Sequence, residues 1–201
     1  MRKIIAFAHV SLDGVMQGPG GAEEDRSDGF ERGGWIWQFK DDENKSGAAI
    51  IEMLGSSDKP NDLLLGRRTY DIFASFWPHA PADNPFGAAF NKANKYVLTH
   101  GNQKLDWANS HKLRSIDELK KVTAGEGPDI VLWGSSTLYS PLLEANLIDC
   151  LNLLIYPIIL GKGKKLFGDA SHPVSMKLAS SEAAKSGIII TKYERGQNAS
   201  R

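Results

Sequence analysis

Residues 62–77 run Asp-Leu-Leu-Leu-Gly-Arg-Arg-Thr-Tyr-Asp-Ile-Phe-Ala-Ser-Phe-Trp. Leu63, Leu64 and Leu65 make an unbroken apolar run, too short for a helix, which predicts a buried strand over 62–66. From about Arg68 the period changes. Ile72, Phe73 and Phe76 recur at helical spacing, and Pro78 stops the helix near Trp77. The theme recurs downstream: Asp129 to Trp133 forms a second buried strand, followed by Gly134-Ser135-Ser136-Thr137 and a helix to about Leu147. Between them, Lys95 to Thr99 is a strand, and Ser115 with Glu118 forms the capping box of another helix.

Outward from this centre, residues 3–10 make a first strand, and 44–55 and 86–93 two further helices. Residues 150–156 make a strand, and 177–183 with 187–193 a closing antiparallel pair. Alternating strands and helices with a β-rich end predict an α/β fold. Its central sheet is mostly parallel and flanked by helices, with antiparallel C-terminal strands. Residues 11–43 form a long, glycine-rich and polar loop that also holds Trp35, Trp37 and Phe39, and a loop of that length is usually functional or mobile.

The 201 residues suit one domain, 1–201, with an ordered core over about 3–193. Lys plus Arg and Asp plus Glu are each 24, so no net charge favours nucleic acid as a partner. The one cysteine, Cys150, excludes an internal disulfide and a metal cluster, and its apolar setting reads as an inert buried thiol. Ile4 to Val10 is too short for a secretion signal and contains His9. No apolar run reaches the ~18 residues of a membrane span. A cytoplasmic protein is expected.

The junctions Gly66-Arg67-Arg68-Thr69 and Gly134-Ser135-Ser136-Thr137 share one chemistry. Each places a glycine at the end of a strand and free N–H groups at the start of a helix, which suits a phosphate. Arg67 and Arg68 add planar donor forks, and the second junction adds hydroxyls. A plain strand-to-helix turn explains either one alone. Neither matches a Rossmann fingerprint or a Walker loop.

Four segments together carry a resemblance. Ala6 to Met16 with Ser11-Leu12-Asp13-Gly14, Gly66 to Tyr70, Val131 to Leu143, and Pro157 to Phe167 with Leu160-Gly161-Lys162-Gly163 occur in order. The chain resembles the dihydrofolate-reductase-like superfamily, above all the C-terminal reductase domain of the bifunctional riboflavin-biosynthesis deaminase/reductase. The resemblance implies a homodimer and NADPH bound across the carboxyl edge of the sheet. Arg67 and Arg68 would reach the adenosine ribose phosphate, Thr69 the pyrophosphate, and Thr99 and His100 would lie around the adenosine. Gly134, Ser135, Ser136 and Thr137 would follow the pyrophosphate towards the nicotinamide.

Near the reaction, Asp13 is the preferred polar group, as a substrate hydrogen-bonder or proton relay; an Asp-Gly turn explains it equally. Trp35 and Trp37 would wall a heterocycle or pack in the core. Asp42, five residues after Trp37, matches the spacing of true dihydrofolate reductases, against the alternative of a solvated helix start. His9 departs from the family, which carries a small residue there: it would relay a proton or be satisfied within the sheet. Pro141 implies a kinked or late helix. Lys162, Lys164 and Lys165 offer a substrate phosphate site or a solvated loop.

Three functions follow. The first is NADPH-dependent hydride transfer to a pyrimidine such as 5-amino-6-(5-phosphoribosylamino)uracil, stand-alone because no deaminase pattern precedes it. The others are reduction of dihydrofolate or another pterin, and a non-catalytic nucleotide-binding dimer that kept the fold.

Overall fold

A computed structural model describes residues 1–40, 42–56, 59–81, 83–168 and 173–196. An eight-stranded sheet dominates it. In chain order its strands are β1 (Ile4–Ser11), β2 (Asp62–Gly66), β3 (Lys95–Leu98), β4 (Ser110–Leu113), β5 (Ile130–Trp133), β6 (Cys150–Tyr156), β7 (Met176–Ala183) and β8 (Ile189–Arg195). Across the sheet they lie β4-β3-β2-β5-β1-β6-β8-β7. The first six of that row pair in parallel, and β8 pairs antiparallel with both β6 and β7. This is the expected α/β architecture with an antiparallel C-terminal end.

Parallel strands buried on both faces are written as continuous apolar runs, and β2 and β5 carry Leu63-Leu64-Leu65 and Ile130-Val131-Leu132, all fully buried. Helices α1 (Lys45–Leu54), α2 (Arg67–Phe76) and α3 (Pro85–Lys92) cover one face, where Ile50, Met53, Tyr70, Phe73 and Phe90 pack against Phe7, Leu65 and Val131. Helices α4 (Ile116–Ala124) and α5 (Ser136–Glu144) cover the other, with Leu119, Leu138, Tyr139 and Leu142 against Ala6, Leu64 and Leu132. Helix α4 begins where its capping box predicts, with the Ser115 hydroxyl accepting from Glu118 N–H. Helix α5 starts at Ser136 and contains Pro141, so it does not begin late. β4 was not legible as a strand. At the far edge β7 is exposed along nearly its whole length.

Register fixes what lies at the carboxyl end. Phe7 pairs with Trp133 and Leu64 with Leu132, so β5 and β2 end beside the middle of β1, which runs on past them to Ser11. At the amino end, the buried Arg2 guanidinium pairs with the Asp62 carboxylate and donates to Pro128 O. Asp62 also accepts from the N–H and side-chain amide of Asn94. One end of the sheet is thus held by a buried ionic knot and the other is open. No helix among the described residues is long and apolar enough to cross a membrane.

Candidate active site

The open end holds a cleft of about 150 Å³, lined by residues from β1, from the 16–25 part of the long loop, from both strand-to-helix junctions and by Lys164. The two junctions are laced together. Ser135 Oγ accepts from Gly66 N–H at 2.8 Å, and Ser135 N–H donates to Thr69 Oγ1 at 3.0 Å. That closeness explains Gly134: at φ +58° a Cβ would come within 3.0 Å of Thr69 Oγ1 and Cγ2. Ser135 itself takes a left-handed conformation, uncommon for a non-glycine residue and concentrated at functional sites. Neither α2 nor α5 has a side-chain cap on its first turn. The first residues of both helices line the cleft, so two partial positive charges lie along it. Gly66, Arg67, Arg68, Thr69, Gly134, Ser135, Ser136 and Thr137 all line it.

The two arginines are held differently. Arg67 grips Asp71 one turn on, through Nε at 2.9 Å and its terminal nitrogen at 2.7 Å, and reaches the carbonyls of Gln103 and Lys104. Arg68 is half exposed and pairs at 2.7 Å with Asp25, which the long loop brings over the cleft. Asp25 also takes Lys164 Nζ at 3.1 Å. Burial pushes its carboxyl up, but the Ser27 hydroxyl and N–H and the Lys164 ammonium outweigh that and hold it at about 2. Glu24 beside it accepts from Gly20 and Gly21 N–H, and burial raises its carboxyl. The loop therefore lies across the cleft as a lid, its carboxylate seated on an arginine suited to phosphate.

Thr99 and His100 follow β3, whose Leu98 pairs with Gly66. They lie beside the first junction rather than among the lining residues: Thr99 Oγ1 accepts from Gly101 N–H, and His100 O accepts from Arg114. The remaining expected residues are placed elsewhere. The Asp13 carboxylate accepts from Ser11 Oγ (2.7 Å) and from the N–H groups of Leu160 (3.0 Å) and Gly161 (2.7 Å). The Ser11 hydroxyl first, then the Leu160 N–H, hold it at about 2. Asp13 is thus a staple between two loops, and so strong an acid is ionised at neutral pH and carries no proton to relay.

Trp35 is buried in the core, its indole N–H on Gln17 O at 2.8 Å. Trp37 is 72% exposed, with its N–H on Gly20 O, and Asp42 is exposed. These three read as loop packing and surface rather than as a wall of the cleft. Sequence reasoning missed Asp25, Gln17 and Phe7. The run Glu23-Glu24-Asp25, opposite in charge to Arg67-Arg68, was the available signal.

Residues 2–190 match the RibD C-terminal domain. The chain belongs to the RibD C-terminal domain family. An uncharacterized relative, YyaP of Bacillus subtilis (strain 168), is 25% identical over 199 residues, which is 96% of this chain and 94% of YyaP. A solved structure from Shewanella sp. PV-4, described as a "putative riboflavin biosynthesis protein", superposes with a TM-score of 0.71 at 21% identity, covering 97% of this chain and 99% of that one. Dihydrofolate reductase from Enterococcus faecalis, complexed with NADP(H), gives 0.61 at 16% identity, with 97% of each chain covered. At such identities these structures establish a dihydrofolate-reductase-like fold. The RibD C-terminal domain assignment carries the coarse chemistry, that of a reductase-type oxidoreductase.

Proposed function

We propose that this protein binds NADPH in the cleft and reduces a small heterocycle, of the type of 5-amino-6-(5-phosphoribosylamino)uracil. The observation that carries the reading is the pair of uncapped helix starts, α2 and α5, converging with Arg67 and Arg68 on one cleft. The residues fit a dinucleotide: backbone N–H groups and hydroxyls for a pyrophosphate, and a planar cation for a ribose phosphate. When bound, NADPH supplies a hydride. The chain itself holds and orients both reactants, with Phe7, Phe73 and Trp133 forming an aromatic floor that excludes water. The pterin alternative requires a carboxylate beside Trp37, whereas the carboxylates lining the cleft are Glu24 and Asp25.

A cleft of about 150 Å³ is smaller than the ~300–1,000 Å³ typical of ligand sites. In this account the lid moves aside as the cofactor enters, and the phosphate takes the place of Asp25 on Arg68. Asp25→Ala should therefore tighten NADPH binding. A half-exposed ion pair is worth about 0.2–1 kcal/mol, so the gain is at most about fivefold, read by fluorescence titration. Weaker binding would show instead that Asp25 supports the cofactor site.

A further inference from the structure

The floor of the cleft contains a histidine for which the cofactor reading has no use. Strand alternation puts His9 on the same face as Phe7, and the two rings meet edge to face at 5.0 Å. Phe7 in turn packs on Trp133 at 4.6 Å. A flat ring laid in the cleft beside these aromatics would meet His9.

The charged and amide side chains that line the cleft already have partners. Gln17 donates to the carbonyls of Asp25 and Ser27 and accepts from Lys164 N–H. Glu24 is taken by two backbone N–H groups, and Asp25, Arg68 and Lys164 bind one another. At His9, one ring nitrogen is committed: Nδ1 lies 2.9 Å from the Tyr156 hydroxyl. Tyr156 is buried and gripped by Trp35 at 5.3 Å and Phe39 at 5.7 Å. The imidazole is therefore oriented by a chain of packed rings, and Nε2 is the nitrogen left to meet a ligand. Burial pushes the imidazole down to about 4, so the ring is neutral at physiological pH.

We propose that His9 is the specificity-determining residue of the substrate pocket, its Nε2 hydrogen-bonding the imide edge (C=O and N–H) of a neutral pyrimidine ring. A neutral imidazole suits that edge in both directions. With Tyr156 donating to Nδ1, Nε2 carries the proton and donates to a carbonyl; with the other tautomer, Nε2 accepts from a ring N–H. Tyr156 acts through His9 as a positioning residue. Trp35, expected from sequence to touch the substrate, contributes by holding Tyr156. The inference rests on the reductase reading above, since it takes the ligand of this pocket to be the substrate.

The test uses the full chain with ¹⁵N-labelled histidine and two titrations in series. NADPH is added first, with NADP⁺ in a parallel sample; 5-aminouracil then follows as the probe on the NADP⁺-saturated protein. The Nε2 resonance missing from His9→Gln identifies His9 among the five histidines. The expected result is a shift of that resonance with 5-aminouracil, and probe binding weakened about tenfold in His9→Ala and partly restored in His9→Gln, as for one lost hydrogen bond. NADPH affinity should stay within about twofold in both variants. An unmoved His9 resonance, equal probe affinity in His9→Ala, or no probe binding to the saturated wild type would overturn the assignment. Absence of NADPH binding in the first titration would instead remove the reductase reading itself. If His9→Ala does not fold, the wild-type resonance and His9→Gln still decide.

Discussion

Replacing Arg67 and Arg68 together by Ala should weaken NADPH binding by at least about 1.5–3 kcal/mol, the worth of charge-assisted hydrogen bonds, or roughly 10- to 150-fold. NADH binding should change much less, because the forks are assigned to the phosphate that only NADPH carries. The two single variants should separate. Arg68 is held by one half-exposed contact to Asp25, so its guanidinium is free to exchange a carboxylate for a phosphate. Arg67 is clamped on Asp71 and on the carbonyls of Gln103 and Lys104, and serves to tie α2 to the loop after β3. Arg68→Ala should therefore carry most of the loss. Isothermal titration with both nucleotides checks this, and equal losses for NADPH and NADH would remove the phosphate assignment.

Asp62→Ala should cost about 3–5 kcal/mol of stability, the penalty for leaving one member of a buried ion pair without its partner. Arg2 and Asp62 are both nearly inaccessible to solvent. The variant strands the Arg2 guanidinium among Pro128, Tyr96 and the start of β1, and takes the acceptor from Asn94 N–H. For a chain of this size the thermal midpoint should fall by roughly 6–20 °C. The knot lies at the amino ends of the strands and the cleft at their carboxyl ends. NADPH affinity of the folded variant, measured well below its midpoint, should thus stay near wild type. A fall of only a degree or two by calorimetry would show that the pair contributes little.

The fold was legible because its central strands are apolar throughout and each is followed at once by a helical period; Leu63-Leu64-Leu65 before Ile72 and Phe73 needs no distant information. β4 escaped for the opposite reason. Ser-His-Lys-Leu offers a single buried apolar residue, Leu113, and becomes a strand only because β3 and the residue after it supply partners across the edge, including the Thr99 N–H that donates to Leu113 O. Secondary structure set by a neighbour rather than by local pattern leaves little trace in sequence.

The candidate site divides in the same way. Glycine followed by a helix start is local chemistry, so Gly66 to Thr69 and Gly134 to Thr137 could be picked out by inspection. The contact of Asp25 with Arg68 spans 43 positions and depends on how a glycine-rich loop folds back. The aromatic content of that loop announced packing without saying which ring would be buried. Trp35 went into the core behind Tyr156, while Trp37 stayed on the surface. Asp13 shows a further limit. Its turn position was evident, but its commitment to Leu160 and Gly161 N–H belongs to a loop almost 150 residues away.

The central claim is that the paired junctions hold a phosphorylated nicotinamide dinucleotide. A titration of the purified wild-type protein with NADPH and with NADH, followed by quenching of its tryptophan fluorescence, tests it most directly. The account predicts saturable binding of NADPH, at least about tenfold tighter than NADH, as one charge-assisted contact to the extra phosphate requires. Equal affinity for the two would contradict the role given to Arg68, and binding of neither would contradict the cofactor site as a whole.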